Sequence, residues 1–234
     1  METNTSSTLT VRIERHLLDT IKTANLTSGM PIPSEVQTVK DLQISRGVVR
    51  EAYRSLESLG LIEIKSGKRP VIKDPDPASL IKFLDFHRDI GHFSIDAILE
   101  AVRGIELSAM QLAVQRADDD NRKTINNIYL ELEKNADKSF AFLSELKNFH
   151  ETVILISANP IYRLFFSALY SQLNANLTEA FLSLSKKEKK KLLKMHKNIV
   201  SAFNNKKSAD SAYAFIEYAD ALKEILLKPK HAEE

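Results

Sequence analysis

Apolar residues recur along this chain at two periods, and the switch between them marks its first division. Between Leu9 and Ala24, Val11, Ile13, Leu17, Leu18 and Ile21 fall at helical spacing and predict an amphipathic helix. The polar, Ser/Thr-rich residues 1–8 before it are expected to be disordered. The breaker-dense run Asn25 to Pro33, NLTSGMPIP, predicts a loop. Ser34, with Gln37 three residues on, matches a capping box opening a short helix to about Leu42. Gln43-Ile44-Ser45 reads as a tight turn, with Ser45 as N-cap of a third helix that Gly60 ends. In that helix Val49, Tyr53, Leu56 and Leu59 fall toward one face, whereas Arg46, Arg50 and Arg54 form a stripe four residues apart. After Gly60 the period drops to two: Leu61, Ile62 and Ile64, a turn at Ser66-Gly67-Lys68-Arg69, then Val71 and Ile72 predict a β-hairpin.

Three helices followed by a basic hairpin is the element order of a winged helix-turn-helix. Asp74-Pro75-Asp76-Pro77 can continue neither a ladder nor a helix and marks a boundary. A short amphipathic segment, Ala78 to Ile90, and the looser Gly91-His92-Phe93 follow. From Ser94 onward the sole glycine is Gly104, and helical patterns run over 94–116, 119–134, 137–156, 160–183, 186–205 and 208–227. Ser94, Asn159 before Pro160, and Ser185 with Glu188 are their clearest starts. The predicted fold is mainly α: a winged helix-turn-helix over 9–73, a linker over 74–93 and an all-α helical bundle over 94–228.

A hydrophobic content of 43% is enough for a packed core. The absence of cysteine excludes disulfides, thiolate zinc sites and cysteine nucleophiles. The longest apolar runs, such as Val153 to Ile156, fall far short of the roughly 20 residues that span a bilayer. The N-terminus has neither a basic nor an apolar leader region, and a cytoplasmic protein is expected. Net charge is only +2, but Ser45 to Lys73 carries seven basic residues against three acidic ones. Aligned arginines repel one another along a helix, so an anion outside the chain is the better account of them than local helix energetics. A solvated basic face is the alternative, and it is the simplest reading of the later run Lys186 to Lys191. Tyr162, Phe165, Phe166 and Tyr170 are expected to serve as core or dimer interface.

The run Pro33 to Ile72 resembles the DNA-binding domain of the GntR family of bacterial transcription regulators. Its Pro-Ser-Glu opening, Ser-Arg, Val-Arg-Glu-Ala, Leu-Glu and Gly-Leu pairs stand at Pro33-Ser34-Glu35, Ser45-Arg46, Val49-Arg50-Glu51-Ala52, Leu56-Glu57 and Gly60-Leu61. The resemblance implies a DNA surface built from Ser34, Ser45, Arg46, Arg50, Arg54, Gly67, Lys68 and Arg69. Departures are Val36 where the family carries a DNA-contacting arginine, Thr38 where a leucine is common, and Arg69 in place of a second wing glycine.

The helical remainder resembles the FCD ligand domain of the FadR-type branch. Leu99-Glu100-Ala101-Val102-Arg103-Gly104-Ile105-Glu106 is similar to its opening helix, and Phe149-His150 with Ser157-Ala158-Asn159-Pro160 to its central motif. The resemblance implies a homodimeric repressor on a pseudo-palindromic operator, released by a small anionic metabolite, an organic acid, in a pocket formed by Arg103, His150, Asn159, His196 and Tyr218. Arg103 either grips that anion or pairs with Glu100 or Glu106. FCD domains often hold a divalent metal through an Asp and a His four apart and two further His. Here the Asp position is Leu146 and the last His position Tyr218, which leaves His150 and His196, with Glu145 or Asn148 as substitute oxygen donors. No cofactor is therefore expected, with zinc, nickel or manganese the alternative. A ligand-independent DNA-binding dimer and a metal-dependent helical enzyme with a DNA-binding appendage are the rival readings.

Overall fold

The computed structural model describes residues 3–227. Residues 1–2 and the expected domain end at 228 lie outside them. The chain divides into two compact units, residues 1–79 and 80–234.

The first unit is a winged helix-turn-helix: α1 (Thr3–Thr23), α2 (Glu35–Leu42), α3 (Arg46–Ser58), β1 (Ile62–Glu63) and β2 (Val71–Ile72). The strands run antiparallel, with Ile62 opposite Ile72 and Glu63 opposite Val71. α1 starts inside the stretch expected to be disordered. Each residue added to an existing helix gains a backbone hydrogen bond without a new nucleation cost, so the polar lead-in prolongs it. Ile13 and Leu17 of α1 pack with Ile32, Ile44, Val49, Ala52, Tyr53 and Ile62 into one core. Val11 and Leu18, assigned to the same apolar face, are exposed. Leu59 is exposed as well, because it is the C-cap beyond the helical stripe; Ala52 takes the buried place.

Local chemistry sets the element ends. Ser34 Oγ accepts from the Gln37 amide at 3.2 Å, but the Gln37 side chain donates forward to Asp41 Oδ1 at 2.7 Å, so the expected capping box is only half formed. Ser45 caps α3 by accepting from the Val48 amide. At its other end the Gly60 and Leu61 amides donate to the Glu57 and Leu56 carbonyls, a Schellman ending that needs the left-handed φ of +73° at Gly60. The 25–33 loop is stitched to the hairpin: Ile32 and Gly29 amides donate to the Pro70 and Ile72 carbonyls at 2.9 and 2.8 Å.

Thr38, the departure from the family leucine, has a structural account. It is fully buried, and its hydroxyl lies 2.8 Å from that of Tyr53, which donates to the Pro33 carbonyl at 2.6 Å. This chain ties α2 and its entry to α3, and burial pushes the Tyr53 hydroxyl up to about 12. Tyr53→Phe leaves the Pro33 carbonyl and the Thr38 hydroxyl short of a partner, so it is expected to cost about 1–3 kcal/mol. Denaturant unfolding checks this, and an unchanged midpoint would count against the bridge.

The remainder comprises α4 (Ala78–Asp89), α5 (Ile95–Arg116), α6 (Asp119–Lys134), α7 (Ser139–Ile156), α8 (Pro160–Ser171), α9 (Asn174–Ser183), α10 (Lys186–Asn204) and α11 (Ser208–Leu226). α5 packs on α7, α8 and α11, while α6 lies against α7 and α10, and α10 against α11. Phe142, Phe149, Phe166, Phe181, Phe203 and Phe215 fill the interior. The helix expected over 160–183 is two. At the break the Gln172 and Leu173 amides make tightened bonds to the Leu169 and Tyr170 carbonyls, and buried Gln172 accepts from Arg88 Nη1 at 2.6 Å. Phe166 and Tyr170 are buried but Phe165 is exposed, so the four aromatics are not one stripe. The lysine run opens α10 behind a complete Ser185/Glu188 capping box. Lys189 alone of the run is buried, donating to Ser139 Oγ at 2.7 Å. Among the described residues no helix is long and apolar enough to cross a membrane.

Candidate functional site

Two sites stand out, one on each unit. On the first, α3 buries Val49, Ala52 and Tyr53 and exposes Ser45, Arg46, Arg50 and Arg54. Among the described residues no carboxylate lies within ion-pair range of these arginines, of Lys68 or of Arg69. Of the two carboxylates on the helix, Glu57 is engaged elsewhere, since its Oε1 accepts from the Ile64 amide at 3.1 Å and ties α3 to the wing. In the wing Lys65 pairs with Glu63 at 2.9 Å and Lys73 with Asp76, while Lys68 and Arg69 face solvent. Gly67 takes a φ of +71° in the turn that the Lys68 amide closes on the Lys65 carbonyl, with open space where a Cβ would stand. Ser34 and Ser45 accept their capping bonds at Oγ and keep their own O–H free to donate outward. Val36 is 56% exposed on the first turn of α2.

The second site is a cavity of about 80 Å³ between α5, α7, α9 and α11 and the end of α8. Leu99, Val102, Arg103 and Glu106 stand at i, i+3, i+4 and i+7 on α5 and supply one wall. Of the residues expected there, Arg103, His150 and Tyr218 do line it. Arg103 pairs with neither Glu100 nor Glu106 but with Asp220 Oδ1 at 2.5 Å, since both share the edge where α5 meets α11. His196 sits behind the wall, its ring 4.3 Å from that of Tyr218. Its Nδ1 donates to the Leu192 carbonyl, and burial, with His150 beside it, holds its pKa down near about 3, so it stays neutral. Asn159 is elsewhere: its Oδ1 accepts from the Ile161 and Tyr162 amides and caps α8.

Glu106, Glu100, Tyr170 and Lys223 complete the polar part of the lining and were not anticipated as site residues. Glu106 was signalled by a carboxylate falling in helical register with the apolar Leu99 and Val102. It is buried, with Oε1 at 2.7 Å from His150 Nδ1, and His150 Nε2 shares a hydrogen bond with the Tyr218 hydroxyl at 3.2 Å. Burial keeps the Tyr218 and Tyr170 hydroxyls protonated far above their ordinary range, and Glu106 nearby adds to this.

The donor set does not fit a divalent metal. Leu146, buried in the core, occupies the position four before His150, and Tyr218 meets His150 Nε2 with a hydroxyl that resists ionisation. Glu145 and Asn148 bond each other at 3.3 Å on the outer side of α7. Among the described residues no three His, Asp or Glu side chains are grouped to hold an ion.

Comparison with known proteins agrees with both halves. Residues 9–72 match the gntR family of bacterial regulatory proteins, and residues 97–221 match the FCD domain. The uncharacterised HTH-type regulator YcbG of Bacillus subtilis is 22% identical over 233 residues, covering 97% of this chain and 94% of that protein. The HTH-type transcriptional repressor NanR of Cronobacter sakazakii is 26% identical over 176 residues, covering 71% of this chain and 65% of NanR. Among solved structures, Streptococcus agalactiae GntR superposes with a TM-score of 0.67 at 19% identity, over 92% of this chain and 99% of that one. E. coli McbR/YncC gives 0.53 at 17% identity, over 93% and 96%. These likenesses show the fold. The chain therefore belongs to the FCD-domain family and carries a gntR-family DNA-binding domain in front of it, and it is a DNA-binding transcription regulator, not an enzyme.

Proposed function

We propose that this regulator is a homodimeric repressor acting in the cytoplasm on a pseudo-palindromic operator, and that a small organic acid bound in the cavity loosens its hold on that DNA. The observation that carries the DNA reading is the exposed, unpaired stripe Arg46-Arg50-Arg54 on a helix whose opposite face is buried. Arg46 and Arg50 are assigned to the major groove, where they reach base edges or phosphates, and Arg54, Ser34 and Ser45 to the backbone. Gly67, Lys68 and Arg69 take the adjacent groove. One reader spans few base pairs, whereas a two-fold dimer places a second reader on the repeated half-site. The relatives named NanR are repressors, which supports that sign.

The effector reading rests on the cavity. Its rim carries Arg103 and Lys223, both able to meet a carboxylate, and protein groups alone hold the ligand because the donors for a metal are missing. Coupling between such a ligand and operator affinity is typically worth ~1–3 kcal/mol, or a factor of roughly 5–150. Selection of bound sequences from a random DNA pool, followed by retention on the selected site with and without small carboxylates, tests both halves. An inverted repeat is expected, with retention weakened by at least one acid. Retention indifferent to every acid would favour the ligand-independent dimer instead.

A further inference from the structure

Building on the effector reading, we propose that the cavity binds a zwitterion: a small amino acid with its ammonium on Glu106 and its carboxylate at the rim between Arg103 and Lys223. Charge comes first. The lining holds two acids, Glu100 and Glu106, against two bases, Arg103 and Lys223. Each base already holds a further acid, Arg103 with Asp220 and Lys223 with Asp96, both at 2.5 Å. The cavity and its immediate partners therefore carry more negative charge than positive. A ligand that is only an anion would enter against that balance.

The inner end of the cavity points the same way. Glu106 is only 8% exposed; its Oε1 is taken up by His150 Nδ1 at 2.7 Å, whereas its other carboxylate oxygen has no hydrogen-bond partner among the described residues. A buried carboxylate oxygen without a donor is costly, and a donor supplied by a ligand relieves it. A hydroxyl brings one hydrogen and no charge, whereas an ammonium brings three hydrogens and the opposite charge. Size then sets the class. About 80 Å³ is roughly half of the ~150 Å³ apolar cavity that takes benzene, so it encloses an ammonium and a few carbons against Leu99, Val102 and Leu177. The carboxylate is left at the rim, where the side chains of Arg103 and Lys223 are 36% and 42% exposed.

Calorimetry and thermal melting of the full chain test this with glycine, L-alanine, L-serine, β-alanine and 4-aminobutyrate, each beside the acid lacking its amine and the amine lacking its carboxylate. At least one amino acid is expected to raise the melting temperature and to bind about tenfold or more tightly than either counterpart. In Glu106→Gln the preference for the amine should vanish while the need for the carboxylate remains. If that variant does not fold, the comparison of the three compound sets on the parent protein decides alone. An acid that binds as tightly as its amino acid overturns the zwitterion and leaves the effector reading intact. If no compound binds, the zwitterion is likewise overturned, and operator retention in the presence of other acids then judges the effector reading separately.

Discussion

The Arg46→Ala/Arg50→Ala/Arg54→Ala variant is expected to lose operator retention by roughly a thousandfold or more while melting no lower than the parent. Each base or phosphate contact of this kind is worth about 1–3 kcal/mol, and three are removed at once. Every arginine that grips a phosphate also takes about 0.9 off the slope of log affinity against log salt. One that reads a base relaxes sequence preference at its position instead, so a salt series on selected and scrambled sites separates the two roles. Stability should move the other way. The three side chains are exposed and pair with no carboxylate among the described residues, alanine is the better helix former, and like charges four apart are relieved. A variant that keeps both its affinity and its salt slope would refute the assigned surface, whereas one that loses affinity only by unfolding would show up in its melt.

Leu146→Asp is expected to be the most damaging single change in the FCD domain. Leu146 is 1% exposed, and the substitution removes apolar burial while placing a carboxylate where no cation waits. The loss of a buried leucine side chain costs about 2–5 kcal/mol, and an uncompensated charge adds several more. At ~2–4 °C per kcal/mol for a chain of this size, the melting temperature should fall by about 10 °C or more. Zinc should not rescue it, because Tyr218 still covers His150 Nε2. Adding Tyr218→His changes that. The rings of His150, His196 and residue 218 lie 4.3–5.6 Å apart, within reach of one ion, and His196 Nε2 has no partner. The double variant is therefore expected to take up zinc and regain stability, and the parent to do neither. Elemental analysis after dialysis, with melts in zinc, reads both; stoichiometric zinc in the parent would sink the metal-free assignment.

How far the chain could be read depended on the range of the chemistry involved. Ser34, Ser45, Gly60, Gly67 and the Ser185/Glu188 box act on backbone within a few residues, so the helix starts, the wing turn and the mainly α, two-part layout were readable in one dimension. The arginine stripe was readable too, since a period of 3.6 places residues 46, 50 and 54 together whatever lies behind them. What lies behind them was not readable. The Thr38–Tyr53–Pro33 chain, the stitching of residues 25–33 to the wing and the helix break at Gln172 depend on partners brought together by packing.

The cavity shows the same limit more sharply. Arg103 and Asp220 are 117 residues apart, so charge alone offered the nearer Glu100 and Glu106 as equal partners, and only the crossing of α5 with α11 brought in Asp220 in place of both. Asn159 looked like a pocket residue because its motif stood near His150, yet it is consumed by the helix it caps. Glu106 was visible as a charge in helical register with Leu99 and Val102; that it is buried beside His150 with an unmet oxygen is a fact of packing. Residue type and spacing put forward a surface for DNA and put Leu146 and Tyr218 where metal donors would stand, because those are matters of local geometry and of which groups exist. Tertiary packing alone decided which charges are already satisfied, and in a cavity this small that balance determines what else can enter.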